Sequence, residues 1–427
     1  MRQNKYFLLA LLSLVGVLNF VDRQILAILL ESIKEDLDLS DRQLGLLSGF
    51  YFALFYAFFG IPIALLADRW HRGKIISISL LVWSSMTFIS GYATSFLHLI
   101  AARIGVGLGE AGVAPASHSL ITEHFEPRQR PFAFAIYAVG GTLGILIALG
   151  GGGWINQHYG WRTAFFVAGM PGVVFALFTW FLLHEPRKVE PLKTTSFRAR
   201  SDQIGITQGF ALLWRMKAWR HAAIATGVTH IGTFGIGQFA PALLSRSFGL
   251  ESGQVGLVLS LVIGLGGSIG ALSGGILAGR LSTNLGVSWL AWTLAITFTL
   301  AGILAPFALM QLQLPFFIAF LAPYFVLSLA SSGVQFAIAQ SMVTHEMRAT
   351  SSALLILIIN LFGLGLGPLI VGQVSDMLKP SMGSESLRYA MMCMAPFLIW
   401  GAFHYYIAGR HLPKDAINET DTVKVGH

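Results

Sequence analysis

The chain has 427 residues, of which 55% are hydrophobic and only 11% are charged, and its formal net charge is +8. A water-soluble protein carries about 25% charged residues, so this composition excludes an ordinary soluble domain. Repeated apolar stretches of about 20 residues or more predict a protein that crosses the membrane many times. The single cysteine, Cys393, excludes a disulfide framework and any metal site built from cysteines.

Twelve apolar stretches follow one another, and each is long enough for one membrane-spanning helix. We place them near residues 6–33, 41–67, 75–95, 97–123, 131–156, 162–184, 219–245, 253–279, 287–310, 314–343, 350–378 and 388–409. With a cytoplasmic N-terminus, the cytoplasmic segments hold 20 Lys and Arg residues and the external segments hold six. This asymmetry predicts a multi-pass protein of the inner (plasma) membrane with both termini cytoplasmic. It also explains the basic charge, so we expect no nucleic-acid partner.

The longest polar interruption, residues 185–217, separates six apolar stretches from six. An internal repeat agrees with this division, since Ala64–Lys74 is similar to the segment Gly275–Ser282, 211 residues later. Glu126–Ala133 and Glu346–Ala353 form a second similar pair at equivalent loops. Duplicated halves are typical of large secondary transporters. We therefore expect six-helix bundles at 1–184 and 218–411, a cytoplasmic linker at 185–217 and a cytoplasmic tail at 412–427.

The fourth apolar stretch carries Arg103 and Glu110, seven residues apart. Seven residues bring a helix back to nearly the same face about 10 Å further along its axis, so the two charges lie on one face. A charge at the membrane centre costs roughly 2.5–3.5 kcal/mol on insertion scales and needs a polar partner or a wet cavity. Three glycines between the charges let a neighbouring helix or a ligand approach closely. A structural ion pair is the alternative, but Asp22 and Arg23 in the first stretch favour a functional cluster.

These segments carry a family resemblance. Ala64–Lys74 resembles the motif Gly-x-x-x-Asp-Arg-x-Gly-Arg-Arg of the major facilitator superfamily, with Ala64 and His71 in place of its glycines. Asn19-Phe-Val-Asp-Arg23, together with Arg103 to Ala111, looks most like the Spinster group of bacterial and animal lipid transporters. Anion–cation symporters share the Asn-x-x-Asp-Arg element. The resemblance spans all twelve stretches and implies an all-α integral membrane fold, with twelve transmembrane helices in two six-helix, pseudo-symmetric bundles.

The charged residues predict a proton-coupling site formed by Asp22, Arg23, Arg103 and Glu110. A helical rise of about 1.5 Å per residue places Asp22 between Arg103 and Glu110 in height, near the membrane's middle. Desolvation favours a neutral carboxyl group, whereas a nearby guanidinium favours the carboxylate. Such a carboxyl group can take up a proton on one side of the membrane and release it on the other. Arginine does not deprotonate, so Arg23 and Arg103 supply a fixed charge.

The last six stretches have no charged residue in their interiors, so their polar side chains are neutral. We expect this half to form a mostly apolar wall of the substrate cavity, which suits an amphiphile better than a sugar or a nucleotide. His230 can titrate near neutral pH, although a lone histidine in a helix is more often a neutral, hydrogen-bonded group. The predicted cavity residues are Asn19, Thr229, His230, Thr233, Phe234, Gln238, Gln335 and Asn360.

A cytoplasmic gate is expected where the second stretch ends near the start of the eleventh. The Asp68 carboxylate would face helix N-terminal amides there, a position that the helix dipole favours by about 0.3–1 kcal/mol. The predicted gate residues are Asp68, Arg69, Arg72, Arg130 and Arg348.

No Walker P-loop, His-Glu-x-x-His or Gly-x-Ser-x-Gly motif is present, so we expect no enzyme and no cofactor or metal. The resemblance implies a proton-coupled secondary active transporter of a lipid-like amphiphile, of the lysolipid or sphingoid type, that works by alternating access in the export direction. One alternative is a proton- or ion-coupled symporter that imports a small organic anion. Another is a membrane receptor that does not transport. We expect a monomer whose partners are substrate, protons and the lipid bilayer.

Overall fold

The computed structural model describes residues 4–126, 128–183, 206–344 and 347–416. The side chains of residues 64–69 and of a few other helical positions lie outside this description. Most of the predicted linker, residues 185–217, and the tail beyond residue 416 also lie outside the described residues. Within the described ranges, the regular secondary structure is entirely helical.

The first half of the chain begins with α1, whose N-terminus is capped by Asn4, since the Asn4 side chain accepts a hydrogen bond from the Tyr6 amide. A short helix, α2, follows after a turn and starts with a capping box made by Ser40 and Gln43. The α-helices of this half are α1 (Lys5–Leu37), α2 (Asp41–Gly45), α3 (Tyr51–Arg69), α4 (Arg72–Ser90), α5 (Phe96–Glu110), α6 (Val113–His124), α7 (Arg130–Leu146) and α8 (Gly152–Leu182).

The second half contains eleven described α-helices. They are α9 (Ile206–Arg215), α10 (Lys217–Phe248), α11 (Ser252–Leu259), α12 (Gly266–Leu285), α13 (Ser288–Leu309), α14 (Leu314–Leu329), α15 (Ser331–Ser341), α16 (Arg348–Ile358), α17 (Gly367–Met382), α18 (Ser386–Met392) and α19 (Ala395–Asp415).

Nine stretches of the described chain are long and apolar enough to cross a membrane. Two of them, Phe132–Leu182 and Thr350–Asp415, are 51 and 66 residues long, so each can cross twice. The first bends at Gly160, where φ is 81°, and the second is interrupted by the turn Gly383–Glu385. α10 is 32 residues long and lies at the seventh predicted crossing, although it is not among these nine apolar stretches.

Four π-helical segments interrupt the described helices, at Leu46–Phe50, Ile147–Gly151, Ser260–Leu265 and Ile359–Leu366. The first and third segments begin 214 residues apart, and the second and fourth begin 212 residues apart. These offsets are close to those of the two repeated loop motifs, which are 211 residues apart from Ala64 to Gly275 and 220 residues apart from Glu126 to Glu346. The two halves therefore share their local helix distortions, and such segments often lie at functional positions.

Glycines allow close packing of α1 against α7. A Cβ atom at Gly140 would lie 2.7 Å from the Ser13 carbonyl oxygen, and one at Gly144 would lie 2.6 Å from that of Val17. The two glycines are four residues apart and face the same neighbour, as expected for small residues at a membrane helix interface.

The chain forms two compact units. One groups the described residues within 1–188, 235–265 and 364–391, and the other groups those within 189–234, 266–363 and 392–427. The first unit contains residues from both predicted bundles, because α2 packs against α17 and α8 packs against α11. The bundle boundaries at 184 and 218 stay a prediction.

Candidate proton-coupling site

The four predicted coupling residues of α1 and α5 come together through their side chains within the first unit. Arg23 Nε donates to Glu110 Oε2 at 2.5 Å, and the Glu110 side chain is fully buried while that of Arg23 is 26% exposed. Arg103 Nη1 donates to the backbone oxygen of Asp22 at 3.4 Å. Glu110 is thus paired with Arg23 of the other helix rather than with Arg103 of its own.

Three polar atoms of this cluster have no hydrogen-bond partner within the described part of the chain: Asp22 Oδ1, Glu110 Oε1 and Arg103 Nη2. Asp22 and Arg103 are only 1% and 6% exposed. A buried polar atom left unsatisfied costs about 1–3 kcal/mol. The cluster therefore combines one direct ion pair, between Arg23 and Glu110, with buried polar atoms that have no geometric hydrogen-bond partner among the described residues.

Residues of α3 and α4 line the cluster, and the sequence analysis did not identify them. Thr87 and Trp83 lie beside the Asp22 carboxyl group, and both are buried. The Arg23 guanidinium lies 5.1 Å from the ring centres of both Phe52 and Tyr56, which is within cation–π range. None of these side chains is charged. Their spacing could have indicated them, since Phe52 and Tyr56 are four residues apart, as are Trp83 and Thr87, so each pair shares one face of its helix.

The glycines of α5 position these neighbours. A Cβ atom at Gly107 would lie 2.8 Å from the Phe52 carbonyl oxygen, and one at Gly109 would lie 2.7 Å from the Trp83 backbone nitrogen. The predicted close approach is confirmed, and the groups that approach are the helices α3 and α4.

The predicted cavity residues of the second unit form hydrogen bonds mainly within their own helices. His230 Nδ1 donates to the Thr226 carbonyl oxygen at 2.8 Å. Thr229, Thr233 and Asn360 bond to backbone oxygens three or four residues earlier. The ring of Phe234 lies 6.0 Å from that of His230.

The remaining predicted cavity residues are divided between the two units. Gln335, in the second unit, is 4% exposed, and its Oε1 has no hydrogen-bond partner among the described residues. Gln238 belongs to the first unit, as does Asn19, which lies beside Glu110. A shared cavity stays a prediction.

The predicted gate residues whose side chains are described lie in contacts of the first half or on the surface. Arg72 is buried and binds Ser119 and Glu123 of α6, with its Nη2 2.5 Å from Glu123 Oε2. Arg130 donates to the carbonyl oxygens at the end of α6. Arg348 is exposed. The side chains of Asp68 and Arg69 lie outside the described part, so the contact of the Asp68 carboxylate with the start of the eleventh stretch stays a prediction.

Comparison with known proteins identifies relatives of similar length. The chain is 32% identical over 412 residues to an MFS-type efflux pump of Mycolicibacterium smegmatis, which covers 96% of this chain and 93% of the relative. It is 27% identical over 284 residues to the cis,cis-muconate transport protein of Acinetobacter baylyi, covering 66% of each chain.

A crystal structure of a bacterial homologue of the human lysosomal transporter Spinster, in an inward-facing and unoccupied conformation, matches the fold with a TM-score of 0.88 at 27% identity. The match covers 98% of this chain and 100% of the other. It confirms the all-α membrane fold and the predicted resemblance to Spinster. The family and these relatives are transporters, which confirms the prediction that this protein is not an enzyme. The family profile matches residues 12–372, and the chain therefore belongs to the Major Facilitator Superfamily.

Proposed function

We propose that this protein is a proton-coupled secondary active transporter that exports a lipid-like amphiphile, of the lysolipid or sphingoid type, by alternating access. The observation that supports the proposal is the cluster of two carboxyl and two guanidinium groups, three of whose polar atoms are buried and have no hydrogen-bond partner in the part of the chain that the structure describes. In a transporter, a site of this kind near the membrane's middle couples ion binding to conformation.

The substrate class rests on the contrast between the two sequence halves. Arg23 is the most exposed charged group of the cluster and is available to an anionic head group. The interiors of the last six helices contain no charged residue. Such a pair of walls, one charged and one apolar, suits a molecule with a charged head and a hydrocarbon tail. The export direction is supported by the relative described as an efflux pump.

A small organic anion is the second candidate substrate, imported by proton or ion symport. The relative described as a cis,cis-muconate transport protein favours it, since muconate is a dicarboxylate. The Arg23 guanidinium can bind the carboxylate of such an anion as well as it can bind the anionic head group of an amphiphile.

The same proposal includes the topology. We infer a monomer in the inner (plasma) membrane, with both termini and the linker in the cytoplasm, because most Lys and Arg residues then lie inside. The repeated π segments support two duplicated bundles within 1–184 and 218–411.

The test is proton flux in proteoliposomes that contain the purified full chain. Lysolipids and small carboxylates are added separately, and internal pH is followed with a trapped dye. We expect a flux with lysolipids that is absent in liposomes without protein and in the Arg103→Ala variant. A flux with carboxylates only would establish the organic-anion alternative. Binding without any flux would refute transport and indicate a receptor.

A further inference from the structure

Arg246, at the end of α10, binds two carboxylates of α1 and α2. Its Nε lies 2.8 Å from both carboxylate oxygens of Glu31, its Nη1 lies 2.9 Å from Asp41 Oδ2 and its Nη2 lies 2.8 Å from Asp41 Oδ1. The Arg246 side chain is 15% exposed. Contacts through two parallel hydrogen bonds are the strong and geometrically specific form of the arginine–carboxylate pair.

Asp41 is held by two further groups. Lys34 forms an ion pair with its Oδ1, and Ser375 of α17 donates to its Oδ2 at 2.6 Å. The Asp41 side chain is only 2% exposed. We call Glu31, Lys34, Asp41, Arg246 and Ser375 the Arg246 network. Its two carboxylates balance its two cations, so a buried charge is neutralised locally.

The backbone of α2 is also held by α17. Asp376 accepts hydrogen bonds from the amides of Asp41 and Arg42, at 3.0 and 2.8 Å. These amides lie at the start of α2 and have no helical partner of their own, so a carboxylate from another helix satisfies them. A Cβ atom at Gly372 would lie 2.1 Å from the Asp41 carbonyl oxygen, which shows how closely the two backbones meet.

The network joins the two sequence halves. Glu31, Lys34 and Asp41 precede the predicted linker, whereas Arg246 and Ser375 follow it. The network lies at the turn between α1 and α2, which the charge distribution places outside the membrane. Alternating access requires the two halves to separate at this end when the substrate site opens outward.

Around the network, the halves meet through glycines. A Cβ atom at Gly49 would lie 1.7 Å from the Leu364 carbonyl oxygen, and one at Gly153 would lie 2.3 Å from that of Ser252. These backbones meet closely, and Ser252 Oγ also donates to the Gly153 carbonyl oxygen at 3.1 Å. Other hydrogen bonds join the halves at this end, between Asp376 and the start of α2 and between Gln157 and the start of α11. The Arg246 network differs from them because it pairs buried charges through several bonds at once.

We propose that Arg246 holds the external ends of the two sequence halves together while the cytoplasmic side is open. It releases Glu31 and Asp41 when the protein opens outward, and we call this contact the latch. This inference rests on the proposed alternating access.

The test is a distance measurement by pulsed electron paramagnetic resonance on the full chain in lipid nanodiscs. Cys393 is replaced by serine, and spin labels are attached at Glu35 and Ser384, which are exposed positions of the two halves at the external end. We expect Arg246→Gln to increase the long-distance population several-fold. Arg246→Lys, which keeps the charge but loses the paired hydrogen bonds, should lie between that variant and the unchanged protein.

Arg162→Gln is the matched control. It breaks the exposed ion pair of Arg162 with Asp36, which joins two residues of the first half at the same end. It should leave the distances unchanged. If Arg246→Gln does not fold, Glu31→Gln removes one of the two carboxylates and should give a smaller shift in the same direction.

Unchanged distances in the folded variants would overturn the latch. This result is separable from failure of the proposed function, because distances are measured without substrate and flux is measured in a separate assay. Flux without a distance shift would refute the latch alone. A shift without flux of any substrate would refute the transport proposal alone.

Discussion

Asp22, Arg23, Arg103 and Glu110, which we call the coupling cluster, and the Arg246 network at the turn between α1 and α2 contain the same charges in different arrangements. Each has two carboxylates and two cations. In the coupling cluster, three polar atoms lack partners, whereas no buried side-chain polar atom of the network does within the described chain. The cluster has Glu110 and Arg23 joined by one 2.5 Å contact, while Arg246 alone makes four hydrogen bonds.

This difference indicates a division of labour. Breaking the network requires several charge-assisted bonds to be lost together, each worth about 1.5–3 kcal/mol, so it is suited to holding one conformation. Several buried atoms of the cluster have no hydrogen-bond partner among the described residues, so a proton gained or lost there changes fewer bonds. We therefore expect the network to hold one conformation and the cluster, as proposed, to respond to a proton.

The largest effect is expected from removing a charge of the cluster. Arg103→Ala should abolish transport in proteoliposomes, because Asp22 and Glu110 then lose a fixed positive charge in a buried setting. Gln335→Leu, on the neutral wall, should keep the transport rate within several-fold of the unchanged protein. The reverse order would show that the substrate is recognised by directional hydrogen bonds and would favour the organic-anion alternative.

A second prediction separates the role of the coupling cluster from that of the Arg246 network. The double variant Asp22→Asn with Glu110→Gln should lose the pH dependence of the conformational equilibrium between about pH 5 and pH 8, since both side chains then stay neutral. Ser375→Ala, in the Arg246 network, should keep that pH dependence while shifting the population at every pH. Spin-label distances across the pH range provide the measurement.

If the double variant still responds to pH as the unchanged protein does, the proton site lies elsewhere. His230 is then the next candidate, and the cluster is a structural ion pair. The two carboxyl groups interact, so their titration belongs to the pair rather than to either residue.

The smallest effect is expected at the cytoplasmic end, where we predict a weaker counterpart of the Arg246 network. Asp68→Asn should shift the population toward the inward-open state by about two- to fivefold, because a carboxylate at a helix N-terminus contributes roughly 0.3–1 kcal/mol. Spin labels at the cytoplasmic ends of the two halves measure the shift. Distances that do not change would contradict the gate assignment of Asp68.

The sequence was enough to predict the membrane-spanning fold and to select Asp22, Arg23, Arg103 and Glu110, which the structure brings together, because charged residues inside apolar stretches are conspicuous. A role of these residues in proton coupling stays a prediction. It did not reveal that Glu110 pairs with Arg23, since helical geometry relates residues of one helix only. Phe52, Tyr56, Trp83 and Thr87 were missed because uncharged residues are common in membrane helices. They lie beside the cluster because α3 and α4 approach α5 closely at its glycines, which the sequence does not show.

The Arg246 network was missed for a related reason. Lys34 and Arg246 are two of the six Lys and Arg residues of the predicted external segments, and in the sequence they contribute only to the predicted orientation. Partners more than 200 residues apart, such as Glu31 and Arg246, are joined by tertiary structure that no local pattern encodes.

The π segment at Leu46–Phe50 determines how far α2 is rotated about the helix axis relative to α3. Its wider turn is equivalent to one residue inserted into an α-helix, and one residue corresponds to about 100° of rotation. Deleting a single residue there would restore a regular helix and rotate α2 about its axis, which would turn the Asp41 carboxylate away from Arg246. A π segment therefore turns the side chains that follow it by about 100° from the directions that an uninterrupted α-helix would give them.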